Sequence, residues 1–278
     1  MNNLSDKYND SNIGKHWEVD KNKSSFERLL NHLRFTTKNY DFFSSAILKT
    51  LSDFPNGEIV VVDLGAGVGW TSAIMSLDPR IKKIYVIEPT EQRLSRVEKV
   101  VKYFGGDLKK IVIMNSTFTN FKLPEKVDIF VLHGSFHHCY DKDINLMFKK
   151  IKQYLKHSKT INYKDFLKRD IELKINSKIL ISGEHFLNRY ILLWRLLKKI
   201  FLLKKSNKDI DNYSGEHNRY QKEIKKIFNY NNFKYKFYYF DGDMIDPMLL
   251  KKNFLKKIFY KFNIQALYYY YSILELKK

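Results

Sequence analysis

Two hydrophobic patterns alternate along this chain. Ile59 to Val62 is a continuous β-branched run, the signature of a strand buried on both faces. Similar short runs recur at Ile84–Ile87, Ile111–Met114 and Val127–Leu132. Between them the apolar positions fall at helical spacing. Trp70 to Leu77 reads as a helix stopped by Asp78-Pro79, and Glu91 to Phe104 as one that buries Leu94, Val97, Val100 and Val101 and ends at Gly105-Gly106. Strand-helix units in series demand parallel pairing, right-handed crossovers and a ligand cleft at the strands' carboxyl ends. The expected architecture is therefore a doubly wound, mostly parallel α/β sheet of about seven strands.

The flanks extend this unit. Ser24 to Leu51 carries two helical stripes, Phe26-Leu29-Leu30-Leu33 and Tyr40-Phe43-Ile47-Leu48-Leu51, before the Pro55-Asn56-Gly57 turn. Residues 1–58 are expected to form an N-terminal helical segment or lid, with His16 and Trp17 in its polar leading part, and residues 59–278 the main domain. Asp143 to Leu173 reads as a long helical stretch interrupted near His157-Ser158, longer than a crossover needs and so expected to contain an insertion. Tyr190 to Lys205 is cationic and very apolar, too short and too charged to span a bilayer. It is expected to be a crossover helix, with peripheral membrane contact as the alternative. Gln221–Phe228 and Lys251–Phe262 read as helices, and Phe233–Phe240 and Ala266–Leu276 as strands.

The chemistry concentrates where the first strand ends. Asp63 is followed by Gly65, Gly67 and Gly69 and then by the helix at Trp70. Glycine tolerates φ > 0 and lets a ligand lie against bare backbone, and a helix N-terminus favours polar or negative groups. The second strand ends in Glu88, at a separation that suits hydrogen bonds to ribose hydroxyls. Asp63, Glu88, Ser116 and His133 all fall at carboxyl ends of expected strands.

The segments VVDLGAGVGW, IYVIEP and VDIFVLHGSFHHC resemble the class I S-adenosylmethionine (SAM) dependent methyltransferases, well over residues 59–182 and weakly elsewhere. The resemblance implies a Rossmann-like fold with SAM as cofactor. It implies that Asp63, Gly65, Gly67 and Gly69 hold the methionine end, that Glu88 holds the ribose, and that Pro89 and Thr90 flank the adenine. Ser116 stands where the family often has an acid meeting the adenine amino group; Ser116 or Asn115 can accept that bond through oxygen. His133 completes the cofactor set. LKINSKILIS (Leu173–Ser182) resembles the family's LKPGG turn and fifth strand without its glycines and proline, which implies that the insertion precedes a fifth strand and that Glu184 and His185 sit at its rim.

Charge adds a second theme. The chain carries +20, most of it beyond residue 150. Such a field attracts nucleic acid, anionic lipid or phosphorylated substrates, but biased Lys, Asn, Ile and Tyr usage produces it equally well. With Cys139 as the single cysteine, neither an internal disulfide nor a cysteine-rich metal site can form. No metal is expected, and no apolar signal region opens the chain, so the expected location is cytoplasmic.

Methyl transfer to a hydroxyl needs alignment and a base, and neutral imidazole is best matched to that proton transfer near neutral pH. The candidates are His185 and His133, then His137, with His138 and His217 behind them. His133-Gly134-Ser135-Phe136 replaces the Asn/Asp-Pro-Pro-aromatic segment common in methyltransferases acting on adenine or glutamine nitrogen, which argues against those acceptors. The expected activity is O-methylation of a small molecule or carbohydrate, including sugar nucleotides and glycans. The alternatives are an RNA methyltransferase and a non-catalytic SAM-fold binding protein. The echo of SGEHFLNRY (182–190) in SGEHNRY (214–220) places two Glu-His pairs near the cleft, while oligomeric state stays open.

Overall fold

A computed structural model describes residues 23–54, 58–156, 159–164, 170–187, 219–239 and 267–277. His16, Trp17, the 190–205 segment, His217 and the 251–262 segment lie outside the described residues.

Strand β1 (Ile59–Leu64) is buried at every position. Alternate side chains leave it in opposite directions, so Ile59 and Val61 enter one hydrophobic core and Val60, Val62 and Leu64 the other. This two-sided burial explains the unbroken β-branched run. β1 pairs in parallel with β2 (Ile81–Glu88) on one side and β4 (Ile129–His133) on the other. β3 (Ile111–Asn115) adds in parallel to β2, and β7 (Lys178–Leu187) to β4. β9 (Leu267–Leu276) runs antiparallel between β7 and β8 (Phe233–Tyr239). The order among the described residues is β3-β2-β1-β4-β7-β9-β8, a mostly parallel seven-stranded sheet as expected.

Helices cover both faces. α1 (Lys23–Asn31) and α2 (Asn39–Leu51) join α3 (Trp70–Ser76) and α4 (Glu91–Tyr103) over one core. A π-turn at His32–Thr36 and left-handed Lys38 divide the first pair, which resolves Ser24–Leu51 into two helices. α5 (Asp141–Tyr154) and α6 (Gln221–Tyr230) cover the other core through Ile144, Phe148, Ile224 and Phe228.

The expected long helix over 143–173 is not formed. α5 ends at Tyr154, and a two-stranded hairpin follows, β5 (Lys159–Lys164) against β6 (Asp170–Ile175), as a separate sheet. The Thr-Ile-Asn-Tyr and Asp-Ile-Glu-Leu-Lys-Ile stretches alternate with period two, which suits a pleated pair rather than a helix. The insertion is where the sequence places it, in strand form. The fifth parallel strand accordingly begins at Lys178 rather than Leu173, because residues 173–175 belong to the hairpin.

β7 carries an irregularity between Ile181 and Glu184, with Gly183 at φ +68°. A bulge of this kind re-aims the side chains beyond it. A Cβ at Gly183 would lie 2.7 Å from the His133 ring. Gly183→Ala is therefore expected to lose roughly 1–3 kcal/mol from the backbone conformation alone, plus the clash. In urea denaturation it should lose more than Gly105→Ala, where φ is +75° and no atom lies within 4 Å.

Candidate functional site

The register puts the chemistry on one rim. Asp63 pairs with Val86 on one side and Val131 on the other, Glu88 pairs with Asn115, and His133 with Ser182. The carboxyl ends of β1, β2, β4 and β7 thus open on a common edge.

The glycine loop is locked to β2. The amides of Gly65 and Ala66 donate to Ile87 O at 2.8 and 3.1 Å, and the amide of Gly67 donates to Glu88 Oε2 at 3.0 Å. Glu88 Oε1 accepts from the Thr90 amide at 3.2 Å, with the Arg93 guanidinium 3.9 Å away. The three glycines all have positive φ but serve different ends. A Cβ at Gly65 would meet Ser135 at 2.7 Å, and one at Gly69 would meet Val97 at 2.9 Å, so these two permit close packing. A Cβ at Gly67 would meet nothing within 4 Å, so that position leaves bare backbone facing open space.

Asp63 is only 1% exposed, and its Oδ2 accepts from Thr71 Oγ1 at 2.6 Å and Ser72 Oγ at 2.5 Å. It therefore braces the first turn of α3 against β1. Burial pushes its pKa up to about 6, against the opposing pull of those two hydroxyls and with a smaller push from Glu88.

Beyond Glu88, Pro89 and Thr90 lead into α4, and Ser116 and Thr117 follow β3. The buried hydroxyls of Thr90 and Thr117 find no partner among the described residues. Asn115 instead reaches Glu91 Oε1 at 3.5 Å from an exposed position. The missing acid after β3 is thus accompanied by two buried hydroxyl groups that can each donate or accept.

The histidines separate clearly. His133 sits edge-on between Phe43 and Trp70, with ring centroids 4.9 and 5.0 Å away, and its Nδ1 is 2.9 Å from Ser182 Oγ. Burial pushes its pKa down to about 3, so it stays neutral and acts as a packed wall of the site. His137 lies in a short turn at Phe136–His138, with Nδ1 2.9 Å from Glu184 Oε2. Glu184 Oε1 accepts the Phe136 amide at 2.8 Å. The His138 ring lies against that of His137 at a tilt of 49°, with centroids 4.1 Å apart. His185 lies on β7 opposite Tyr269, and its side chain lies outside the described residues. Burial pushes the Cys139 thiol up to about 12, which removes it as a nucleophile. Among the described residues no group of three His, Cys, Asp or Glu is arranged to hold a metal.

Arg219 lies in the SGEHNRY motif, which the sequence singles out for its Glu-His pair and not for its arginine. It is 6% exposed and donates to Cys139 O at 2.6 Å and to Asp141 Oδ1 at 2.7 and 3.0 Å, with Phe136 O at 3.5 Å. Thr71, Ser72, Thr117 and Ser182 were also missed. Hydroxyl residues carry no distinguishing spacing, and a buried arginine looks like any other charge in a basic region.

The comparisons agree with this geometry. Residues 61–158 match the family described as a methyltransferase domain. No curated protein matches the chain. Among solved structures, magnesium protoporphyrin IX methyltransferase from Synechocystis PCC 6803 with bound S-adenosylhomocysteine (SAH) is 14% identical, with TM-score 0.54, covering 98% of this chain and 96% of that one. The YcgJ protein from Bacillus subtilis is 13% identical, with TM-score 0.53, covering 85% and 99%. Mycolic acid cyclopropane synthase complexed with SAH is 12% identical, with TM-score 0.54 and 83% of each chain covered. Residues 61–158 thus match a methyltransferase-domain family, and the fold is the one shared by these solved structures, among them S-adenosylmethionine-dependent methyltransferases.

Proposed function

We propose that the protein transfers a methyl group from SAM to an oxygen of a small molecule, with a carbohydrate hydroxyl among the candidate acceptors. The observation that carries the reading is the single rim formed by the open backbone at Gly67, the buried carboxylate of Glu88 and the histidine turn after β4. The residues present fit the cofactor. Gly67 leaves space where a side chain would stand, and the unpartnered hydroxyls of Thr90 and Thr117 lie beyond Glu88 on the adenine side. Glu88 would hold the ribose hydroxyls, and the Gly65–Gly69 loop the methionine end.

When bound, SAM supplies an electrophilic sulfonium methyl; the protein supplies alignment, exclusion of water and a proton acceptor. Asp63 contributes through its field and through its hold on α3, where its Oδ2 accepts from Thr71 and Ser72. Trp70, Phe43 and His133 form an aromatic wall next to the glycine loop. The structural neighbours include methyltransferases named for a porphyrin and for plantazolicin, which supports acceptors of small to moderate size.

Calorimetric titration with SAH tests the cofactor rim. Glu88→Ala is expected to bind at least tenfold more weakly than wild type, as loss of a charged hydrogen-bond acceptor worth roughly 1.5–3 kcal/mol requires. Equal affinity would sink the assignment of Glu88.

The same titration across pH tests Asp63. SAH carries an ammonium, which favours ionised Asp63, and below a pKa of about 6 that ionisation must first be driven. Affinity is expected to be about tenfold weaker at pH 5 than at pH 7.5, and Asp63→Asn is expected to flatten this dependence. A radiolabelled-SAM assay over small alcohols, phenols, carboxylates, sugars and sugar nucleotides tests the acceptor. Turnover on RNA alone would replace the acceptor class.

A further inference from the structure

We infer that His137 is the catalytic proton acceptor, oriented by Glu184, and that Arg219 is the positioning residue that fixes the turn carrying it. This rests on the methyltransferase reading above. Of the rim histidines with described side chains, His133 is enclosed by Phe43, Trp70 and Gly183 and kept neutral. His137 combines partial exposure, at 16% of its side chain, with a buried carboxylate on Nδ1. Glu184 holds both the ring and the backbone of the turn, because one oxygen faces His137 Nδ1 and the other accepts the Phe136 amide. That arrangement fixes the Nδ1–H tautomer and turns Nε2 away from the carboxylate.

Arg219 closes the turn from the other side. Its guanidinium binds Phe136 O, Cys139 O and the Asp141 carboxylate, which bracket His137 and His138 in sequence, and it lies over the Phe136 ring at 5.2 Å. A lysine cannot reproduce this planar fork. Among the described residues, the charged and titratable groups near the imidazole include Glu184 from β7, His133 from β4 and His138 beside it, with Arg219, paired with Asp141, on the turn's backbone.

The step balances. The acceptor hydroxyl gives its proton to His137 Nε2 as its oxygen takes the methyl carbon, and the broken C–S pair stays on sulfur. The positive charge moves from sulfonium to imidazolium, where Glu184 stabilises it.

The test uses the full chain and three variants, His137→Gln, Glu184→Gln and Arg219→Lys. SAH affinity, measured by calorimetry, is expected to stay within threefold of wild type in all three; failure of the wild type to bind would sink the methyltransferase reading instead. By ¹⁵N NMR titration, His137 is expected to hold its proton at least tenfold less tightly in Glu184→Gln. Turnover on the best acceptor of the small-molecule panel is expected to fall at least a hundredfold in His137→Gln. In Arg219→Lys it should fall about tenfold in kcat, with a shifted pH profile. An unchanged His137 titration in Glu184→Gln overturns the dyad even if no acceptor is found. Wild-type turnover in His137→Gln overturns the assignment of the base, and an unchanged profile in Arg219→Lys removes the clamp.

Discussion

The hydrogen bond from the Gly67 amide to Glu88 is the contact on which the site depends. It ties the loop after β1 to the end of β2, and the neighbouring Gly65 and Ala66 amides reinforce it through Ile87 O. Because a carboxylate accepts at both oxygens, Glu88 also caps the entry to α4 through Thr90. One acid thereby sets the spacing of two loops that must face the same ligand. The ribose role proposed for it would draw on the remaining lone pairs of the same two oxygen atoms.

Two further carboxylates repeat this economy. Asp63 braces the first turn of α3, and Glu184 braces the turn after β4. Each is buried and hydrogen-bonded, as a buried acid has to be. Their environments nevertheless differ. Asp63 receives neutral hydroxyls, and burial dominates its pKa. Glu184 faces an imidazole that can take up a positive charge. The two acids therefore brace their turns alike and differ in what they face, hydroxyls for Asp63 and an imidazole for Glu184.

The expected division of the chain into a helical lid and a catalytic domain looks different in three dimensions. The side chains of Phe26, Leu29, Leu33 and Phe43 sit in the same core as β1 and α4. Removing α1 and α2 would expose that core, so the described part of the N-terminal segment is integral to the fold. Phe43 also reaches the site as part of the wall around His133. Whatever covers the cleft therefore has to begin from a fixed base.

The sequence by itself determined the mostly parallel sheet and the placing of Asp63, Glu88 and His133 at its carboxyl ends. Those features rest on short-range physics: β-branched runs, helical stripes, and glycines at fixed offsets from acids. Tertiary structure decided which histidine meets a carboxylate. His133 and His137 are four residues apart, and no local pattern distinguishes them. A glycine bulge in β7, a strand some fifty residues later, places Ser182 against one and Glu184 against the other. The role of Arg219 in the SGEHNRY motif was equally hidden, because its partners Phe136, Cys139 and Asp141 lie about eighty residues before it. The hairpin at 159–175 was misread for a related reason. Its period-two alternation runs over only a few residues on each side, too short to outweigh the helical pattern before it until the two segments pair.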